Sequence, residues 1–387
     1  MARLLIVYYA NDHVLKNSVR DHLYCFRQNG KHHCYYLNLA VNSTHAVLRK
    51  HFDLVIFQTM FFSCRWNPLR YQRLVQESLP LAKIKAVKAI IPQDEFYHAD
   101  LLNEFVNKFN IDYVFTSASE SDWPAIYRDI DRTRVKLKQV LTGYISERLI
   151  RQIKLISKTQ EHNVTDISYR AWRASPWLGN HGRHKVAIAQ AFQEKTKSSD
   201  LITDISTKRQ DTLYGDHWLR LLLSSRYTIG VEGGATILDF NGNYREQTAD
   251  YFNKHPNASN DEVTQHCFPE AEGSLNLRAI SPRHLEACVT KTCQILVEGK
   301  YNGVLEPNKH YIPLSEDYSN IDEVISSLHD ENKRKQIVQR AYDDIVESGK
   351  YGYDEFVDSI IEHCLPNVVG NSSQQVITTT SNSDKKN

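Results

Sequence analysis

The stretch Arg3-Leu-Leu-Ile-Val-Tyr-Tyr-Ala10, followed by an amphipathic run near Asn17–Asn29 and by Cys34-Tyr-Tyr-Leu-Asn-Leu39, decides the fold class. A β-rich run, a helical run and a second β-rich run are the mark of a βαβ unit and a parallel sheet. The alternation continues through Leu54–Gln58, a helix near Leu69–Leu79, Ala86–Ile91, a helix over Ala99–Asn110 and Ile111–Thr116. The first half therefore reads as one doubly wound α/β domain.

A charged stretch, Arg128–Lys138, and the segment around Gly143 separate this half from a second series that opens with the helical run Glu147–Ser157. Strands are expected there near Asp166–Trp172, Leu201–Ser206, Tyr227–Val231 and Gln294–Glu298, with helices near Arg183–Lys197, Gln210–Ser225 and Pro282–Thr290. After Pro313 the chain turns helical over Ile321–Leu328, Glu331–Ser348 and Tyr353–His363, where apolar residues stand three and four apart. These helices either close the second domain or cross back onto the first. From Val368 the composition shifts to Asn, Ser, Gln, Thr and Lys without aromatics, which predicts a disordered tail. The expected organisation is α/β with two Rossmann-like doubly wound domains facing a cleft: 1–145, 146–335, C-terminal helices over 336–366 and a tail over 367–387.

At roughly 150 residues per domain, a chain of 387 residues also fits two domains. Apolar residues at 41% and charged residues at 24% give an ordinary globular balance. Lys plus Arg (47) against Asp plus Glu (46) leaves a formal charge of +1, so no bulk field holds the chain on nucleic acid or an anionic bilayer. A bound anion must meet a local site. Seven scattered cysteines, an odd number without a CxxC pair, read as reduced, cytosolic and core-filling. The apolar run Leu4–Tyr9 has no basic leader and reads as a first strand, not a signal peptide. No apolar stretch approaches the roughly 18 residues of a membrane span, so the chain is expected to be cytoplasmic, at most peripheral to the inner membrane face. The sequons at Asn42, Asn163 and Asn257 are then accidental.

Missing motifs narrow the chemistry. Tyr9-Ala10-Asn11-Asp12 stands where a dinucleotide fold carries GxGxxG, and Gly179-Asn180-His181-Gly182-Arg183-His184-Lys185 does not fit a P-loop. A GxSxG elbow and an HExxH helix are also absent. His32-His33 alone is no metal site, and neither a metal nor a cofactor is implied.

Three constellations in the second half carry chemistry. In Gly273-Ser-Leu-Asn-Leu-Arg278-Ala-Ile-Ser281-Pro282-Arg283-His-Leu-Glu286-Ala287, Ser281 and Pro282 form a helix start. Arg283 in the first turn opposes the helix dipole, so its placement there fits a bound anion such as a diphosphate. Glu286 lies one turn on, where a carboxylate can accept two sugar hydroxyls; the alternative is a surface pair of Arg283 with Glu286. The second, Arg170-Ala-Trp-Arg173 through Gly179 to Arg183 and Lys185, runs a strand into a Gly-punctuated loop and a cationic helix start, either an anion site or a solvated basic loop. The third, Glu232-Gly233-Gly234 after a strand, lets a backbone approach a ligand closely or simply turns tightly. In the first half, Pro92-Gln93-Asp94-Glu95-Phe96-Tyr97-His98 puts two carboxylates and a histidine past a buried strand, where a general base facing an interdomain cleft would lie. Asp12 and His13 hold the equivalent position after the first strand, and loop polarity is the alternative for both groups.

Glu272-Gly273, Asn276-Leu277-Arg278, Ile280 to Arg283, Leu285-Glu286-Ala287, Gln294 to Gly299 and His310 to Pro313 together resemble the nucleotide-sugar domain of GT-B glycosyltransferases, especially the spore-maturation-like group. The closest likeness covers about 45 residues, and the two-domain pattern extends it over most of the chain. The resemblance implies that Glu286 binds the donor ribose and that Arg170 and Lys185 hold the diphosphate. The sequence departs from the family in two places: Arg278 stands eight positions before Glu286 where a partner glutamate is usual, and the Gly-rich loop after the first strand is missing.

The leading expectation is a metal-independent, hexosyltransferase-like enzyme moving a sugar from a nucleoside diphosphate-sugar donor to a carbohydrate or other hydroxyl acceptor, with no nucleic-acid partner. Asp94 and Glu95 are its candidate bases. Arg170, Arg173, Lys185, Glu232, Gly233, Gly234, Ser281, Arg283 and Glu286 are its candidate donor contacts. A sugar epimerase or phosphorylase of the same architecture, and a non-catalytic nucleotide-sugar or glycan-binding protein, are the competing readings.

Overall fold

The computed structural model describes residues 1–11, 15–161 and 164–367, so Asp12, His13, Asn163 and the tail from residue 368 lie outside the described residues. The first half builds a six-stranded parallel sheet from β1 (Arg3–Tyr8), β2 (His33–Asn38), β3 (Leu54–Phe57), β4 (Val87–Ile90), β5 (Tyr113–Thr116) and β6 (Lys136–Gln139), in the order β2-β1-β3-β4-β5-β6. Its helices are α1 (Asn17–Asn29), the short α2 (Thr59–Phe62), α3 (Pro68–Ala82), α4 (Ala99–Lys108) and the short α5 (Trp123–Ile126). Leu5 and Val7 face one core with Phe57 and Phe105, while Leu4 and Ile6 face another with Leu23 and Phe26. Burial on both faces explains why β1 reads as an unbroken apolar run. The stretch Arg128–Lys138, expected as a separator, instead supplies the edge strand β6, whose lysines blunt an exposed sheet edge.

The second half opens with α6 (Glu147–Ser157) and builds a five-stranded parallel sheet from β7 (Thr165–Arg170), β8 (Thr203–Ser206), β9 (Ser225–Gly230), β12 (Cys293–Val297) and β13 (Ile312–Leu314), ordered β13-β12-β9-β7-β8. Between β9 and β12 stands a two-stranded antiparallel ladder, β10 (Gly233–Ala235) with β11 (Leu277–Ala279). The helices are α7 (Asn180–Thr196), α8 (Asp216–Ser224), α9 (Asn243–Lys254), α10 (Asn260–Cys267), α11 (Pro282–Thr290), α12 (Ile321–Ser327), α13 (Glu331–Ala341) and α14 (Tyr353–Cys364). The long helix expected over Glu331–Ser348 is α13 followed by a π-helical turn, Tyr342–Glu347. The last helix crosses back: Phe356, Val357, Ile360 and Ile361 of α14 pack with Leu23 and Phe26 in the first half's core.

The segment between β10 and β11, with α9 and α10, reaches onto the first sheet's side. Ile237, Val263, Phe268 and Leu275 join the core of Phe57 and Phe105. Backbone bonds stitch this seam: Asp239 N–H donates to the Phe96 carbonyl (2.8 Å), His98 N–H to that of Asp239 (3.0 Å) and Asp100 N–H to that of Phe240 (3.0 Å). Gly242, at φ +81°, lies over the His98 ring, and a Cβ there would stand 2.4 Å from Nε2. Only glycine fits both the space and the left-handed backbone. All seven cysteines are unpaired, five of them buried. Among the described residues no helix is long and apolar enough to cross a membrane.

Candidate functional site

Ligands of open α/β sheets bind beyond the carboxyl ends of the strands, and here residues past those ends meet: the rings of Trp66, after β3, and Trp177, after β7, have centres 5.9 Å apart. From the first sheet, β4 exits through Pro92 into the loop Gln93–His98. Arg65, 2% exposed, holds that loop: its guanidinium donates to the carbonyls of Phe62 (3.2 Å), Gln93 (2.6 Å) and Tyr97 (2.9 Å). Asp94 takes a left-handed backbone at φ 54°, which Asp tolerates better than most residues. Its carboxylate accepts the Trp66 indole N–H at 3.3 Å and otherwise faces the cleft. Asp94 is an exposed residue, set among protein groups that still strip its carboxylate of part of its water. Desolvation raises its pKa, opposed by the charges of Arg65 and Lys185 and by the Trp66 bond.

That left-handed kink sends Glu95 the other way. Glu95 is fully enclosed and accepts from the Thr116 and Ser117 hydroxyls, the Ser117 N–H (3.0 Å) and the Tyr127 hydroxyl (3.1 Å). The expectation that it serves as a cleft base is corrected: its oxygens are spent inside the first domain. His98 is likewise absorbed, with Nδ1 3.1 Å from the Asp100 carboxylate and its ring under Gly242.

Across the cleft, Lys185 projects from the first turns of α7. Desolvation lowers its pKa, the nearby Arg283 adds to that, and Asp94 opposes it, so the ammonium stands within electrostatic reach of both domains' charges. Arg283 lies in the first turn of α11, 5.1 Å above the Trp218 ring, and donates to the Arg170 carbonyl. Glu286 follows on the same face, half-buried, accepting the Trp218 indole N–H at 2.7 Å. Its pKa is raised to about 7, mainly by desolvation, against the Trp218 bond and Arg283 and with a contribution from Asp21. Arg283 bonds to the Arg170 carbonyl and Glu286 to Trp218, and among the described residues the two form no ion pair with each other, which removes the surface-pair alternative.

The other expected donor contacts are placed differently. Arg170 is committed to the sheet: its guanidinium grips the Asp204 carboxylate (2.8 and 2.9 Å) and donates to the carbonyls of Asp204, Tyr169 and Asp211. Asp204 faces Ser168 in the register, diagonal to Arg170 on the same side of the sheet. Arg173 lines an open hollow beside Arg183, whose guanidinium pairs with Asp261. Glu232 is buried and accepts the Tyr301 N–H at 2.7 Å, capping a turn. Gly233 and Gly234 form β10; at Gly234, φ +123°, a Cβ would stand 1.9 Å from the Leu277 carbonyl, so the pair permits close strand approach. Ser281 begins α11 with its hydroxyl 3.2 Å from the His284 ring. Apart from the exposed Arg173, these groups are occupied by the protein itself. Arg65, Trp66 and Trp218 were not singled out in the sequence; the only available signal was an Arg-Trp pair past the third strand and a Trp on an amphipathic helix.

No family model matches the chain, and no curated protein matches it. Solved structures do. Anabaena Alr3699/HepE in complex with UDP-glucose aligns over 94% of this chain and 100% of its own at TM-score 0.51 and 9% identity. The same protein with UDP and glucose gives 0.51 at 11% identity, and OtsA in its apo form gives 0.50 at 9% identity over 94% of this chain. At such identities the likeness is one of architecture: two parallel α/β sheets facing a cleft, closed by a returning C-terminal helix, give this chain the GT-B fold.

Proposed function

We propose that the protein transfers a sugar from a nucleoside diphosphate donor, held by the second domain, to a hydroxyl of a carbohydrate or other acceptor held by the first. The observation that carries this reading is the set Asp94, Lys185, Arg283 and Glu286. Four charged groups converge on one cleft, and among the described residues none forms a direct ion pair with another side chain. The likeness to a protein that binds UDP-glucose supports the same donor class.

In this reading Asp94 takes the proton of the attacking hydroxyl, whose oxygen bonds to the anomeric carbon as the bond from that carbon to the diphosphate oxygen breaks. The charge that develops on the leaving diphosphate falls to the half-buried Lys185 and to Arg283, both already in place. Glu286 accepts the ribose hydroxyls. The raised pKa of Asp94 moves it toward the range suited to a general base. Attack opposite the leaving group inverts the anomeric configuration, and the reading asks for no metal.

The test is a panel of UDP-, GDP-, CMP- and dTDP-sugars, read by thermal stabilisation and slow donor hydrolysis. A ligand that binds only the folded state raises its melting temperature. One nucleoside diphosphate-sugar is expected to stabilise the protein and to be hydrolysed slowly. No stabilisation by any of them overturns the reading, and stabilisation without turnover in the presence of acceptors makes the protein a binder.

A further inference from the structure

Tyr9, the first residue past β1, and one face of α3 enclose a hollow of about 420 Å³, a volume in the range of small-molecule sites. Arg70 and Arg73 line it, with Asn67 on one side and Glu77 on the other. The two arginines are exposed and stand one helical turn apart, so their guanidiniums share a side of α3. Among the described residues neither side chain forms an ion pair or a hydrogen bond, and Glu77 pairs with neither. Like charges one turn apart destabilise a helix, so the pair is placed against the interest of the empty protein. The Asn67 side-chain oxygen accepts the Arg70 N–H at 3.1 Å, which leaves its amide N–H groups without a partner among the described residues. The Tyr9 hydroxyl accepts the Asn11 amide at 3.1 Å and keeps its own proton to donate.

Resting on the transfer reading above, we infer that this hollow receives an anionic group of the acceptor, a phosphate or a carboxylate, so that the sugar is moved to an acidic acceptor and not to a neutral one. The place of the hollow carries this together with its charge. Tyr9 marks the carboxyl end of β1, the side on which open sheets bind ligands. Asn67 follows Trp66, whose indole N–H donates to the Asp94 carboxylate at 3.3 Å, and consecutive Cα atoms lie about 3.8 Å apart. The hollow therefore begins one residue from the group that holds the base candidate. From Asn67 to Arg73 the helix rises about 9 Å, enough for a sugar ring and its charged substituent. Guanidiniums meet phosphate and carboxylate through charge-assisted, two-pronged hydrogen bonds, which a neutral sugar cannot offer. Arg70 and Arg73 take the anion, the Asn67 amide and the Tyr9 hydroxyl take sugar hydroxyls, and the attacking hydroxyl is carried toward Asp94. A chain of net charge +1 attracts no anion in bulk, so the selectivity rests on these two arginines.

The full chain, saturated with its preferred nucleoside diphosphate, is titrated with glucose 6-phosphate, glucuronate and glucose, bound probe being read by saturation-transfer NMR and melting temperature serving as the folding control. At least one anionic probe should bind roughly tenfold or more tightly than glucose, and which of the two does so tells phosphate from carboxylate. Arg70→Ala and Arg73→Ala should each remove most of that advantage, and Arg73→Lys should keep part of it. Arg132→Ala, which removes an exposed cation from the turn before β6, should keep all of it. Equal binding of glucose and both anions overturns the proposal while leaving the donor reading intact. An advantage that survives in both alanine variants, or that falls as far in Arg132→Ala, overturns it in the same way. Anion binding by a chain that binds no nucleoside diphosphate removes the donor reading and, with it, the hollow's role as an acceptor site.

Discussion

The cleft wall around Lys185 and the seam around Asp239 both bring charged groups of the two domains together, and they treat those charges in opposite ways. In the seam Asp239 is fully enclosed, and its carboxylate accepts the N–H groups of Tyr244 (3.0 Å) and Arg245 (2.9 Å). Arg245 in turn donates to the Tyr97 hydroxyl (2.7 Å) and the Trp66 carbonyl (3.0 Å). In the cleft, desolvation and the charge of Arg283 depress Lys185 against Asp94, and burial raises the Glu286 pKa to about 7 with Trp218 its one hydrogen-bond donor. A charge whose hydrogen-bonding capacity is spent within the protein fixes the fold. A charge left with spare capacity beside a like charge destabilises the empty protein, and a ligand of opposite sign relieves it.

The widest separation between the two kinds of charge is expected at neighbouring residues. Asp94→Asn should lower turnover by about a hundredfold or more with donor affinity intact, since only the proton acceptor is lost. Glu95→Gln should leave the chemistry of the folded fraction alone and lower stability by roughly 1 to 3 kcal/mol, because a buried acceptor facing an N–H and three hydroxyls is replaced by an amide. Steady-state kinetics beside urea melts check both; near-normal turnover in Asp94→Asn breaks the comparison at its sharpest point.

Next in size is the seam. Asp239→Ala leaves two half-buried N–H groups without their acceptor and should cost about 1 to 3 kcal/mol of stability in urea unfolding. Donor affinity, measured on the folded protein below the transition, should stay within about twofold. A variant of unchanged stability would show that the seam does not hold the domains together.

The smallest effect sharpens the comparison by its sign. A carboxyl whose folded pKa is raised to about 7 takes up protons on folding at pH values between the unfolded carboxylate range and 7. Its stabilising effect is complete below the unfolded value and is lost as pH rises through about 7. Glu286→Gln cannot lose a proton, so its melting temperature should match the wild type near pH 4, begin to exceed it by pH 5 and exceed it by a few degrees near pH 8. Donor affinity should fall at both. A variant less stable at pH 8 than at pH 5, relative to wild type, contradicts the open-charge account of Glu286.

Much of the frame was legible because strands buried on both faces announce themselves as apolar runs. The strand β6 was not, because Lys136 and Lys138 on a sheet edge look like a linker. Helices α9 and α10 escaped notice for a related reason: each buries a single residue, Thr248 and Val263, and carries no apolar stripe. At the site, Lys185, Arg283 and Glu286 could be found from helix starts following strands. The separation of Asp94 from Glu95 could not, since it rests on one left-handed residue that breaks strand alternation. Nor could the loss of Arg170 to Asp204, 34 residues away, which depends on the register of β7 against β8.

The pair Lys185 and Arg170 tests the central claim most directly, because both are cations at the start of the second domain and only one is left open. Calorimetric titration of the preferred nucleoside diphosphate and of its nucleoside into Lys185→Ala and Arg170→Ala measures the diphosphate's contribution in each. The account predicts that Lys185→Ala loses about tenfold or more in diphosphate affinity with nucleoside affinity unchanged, and that Arg170→Ala, compared at a temperature where it is folded, loses neither. A selective diphosphate loss in Arg170→Ala with Lys185→Ala unaffected would contradict it.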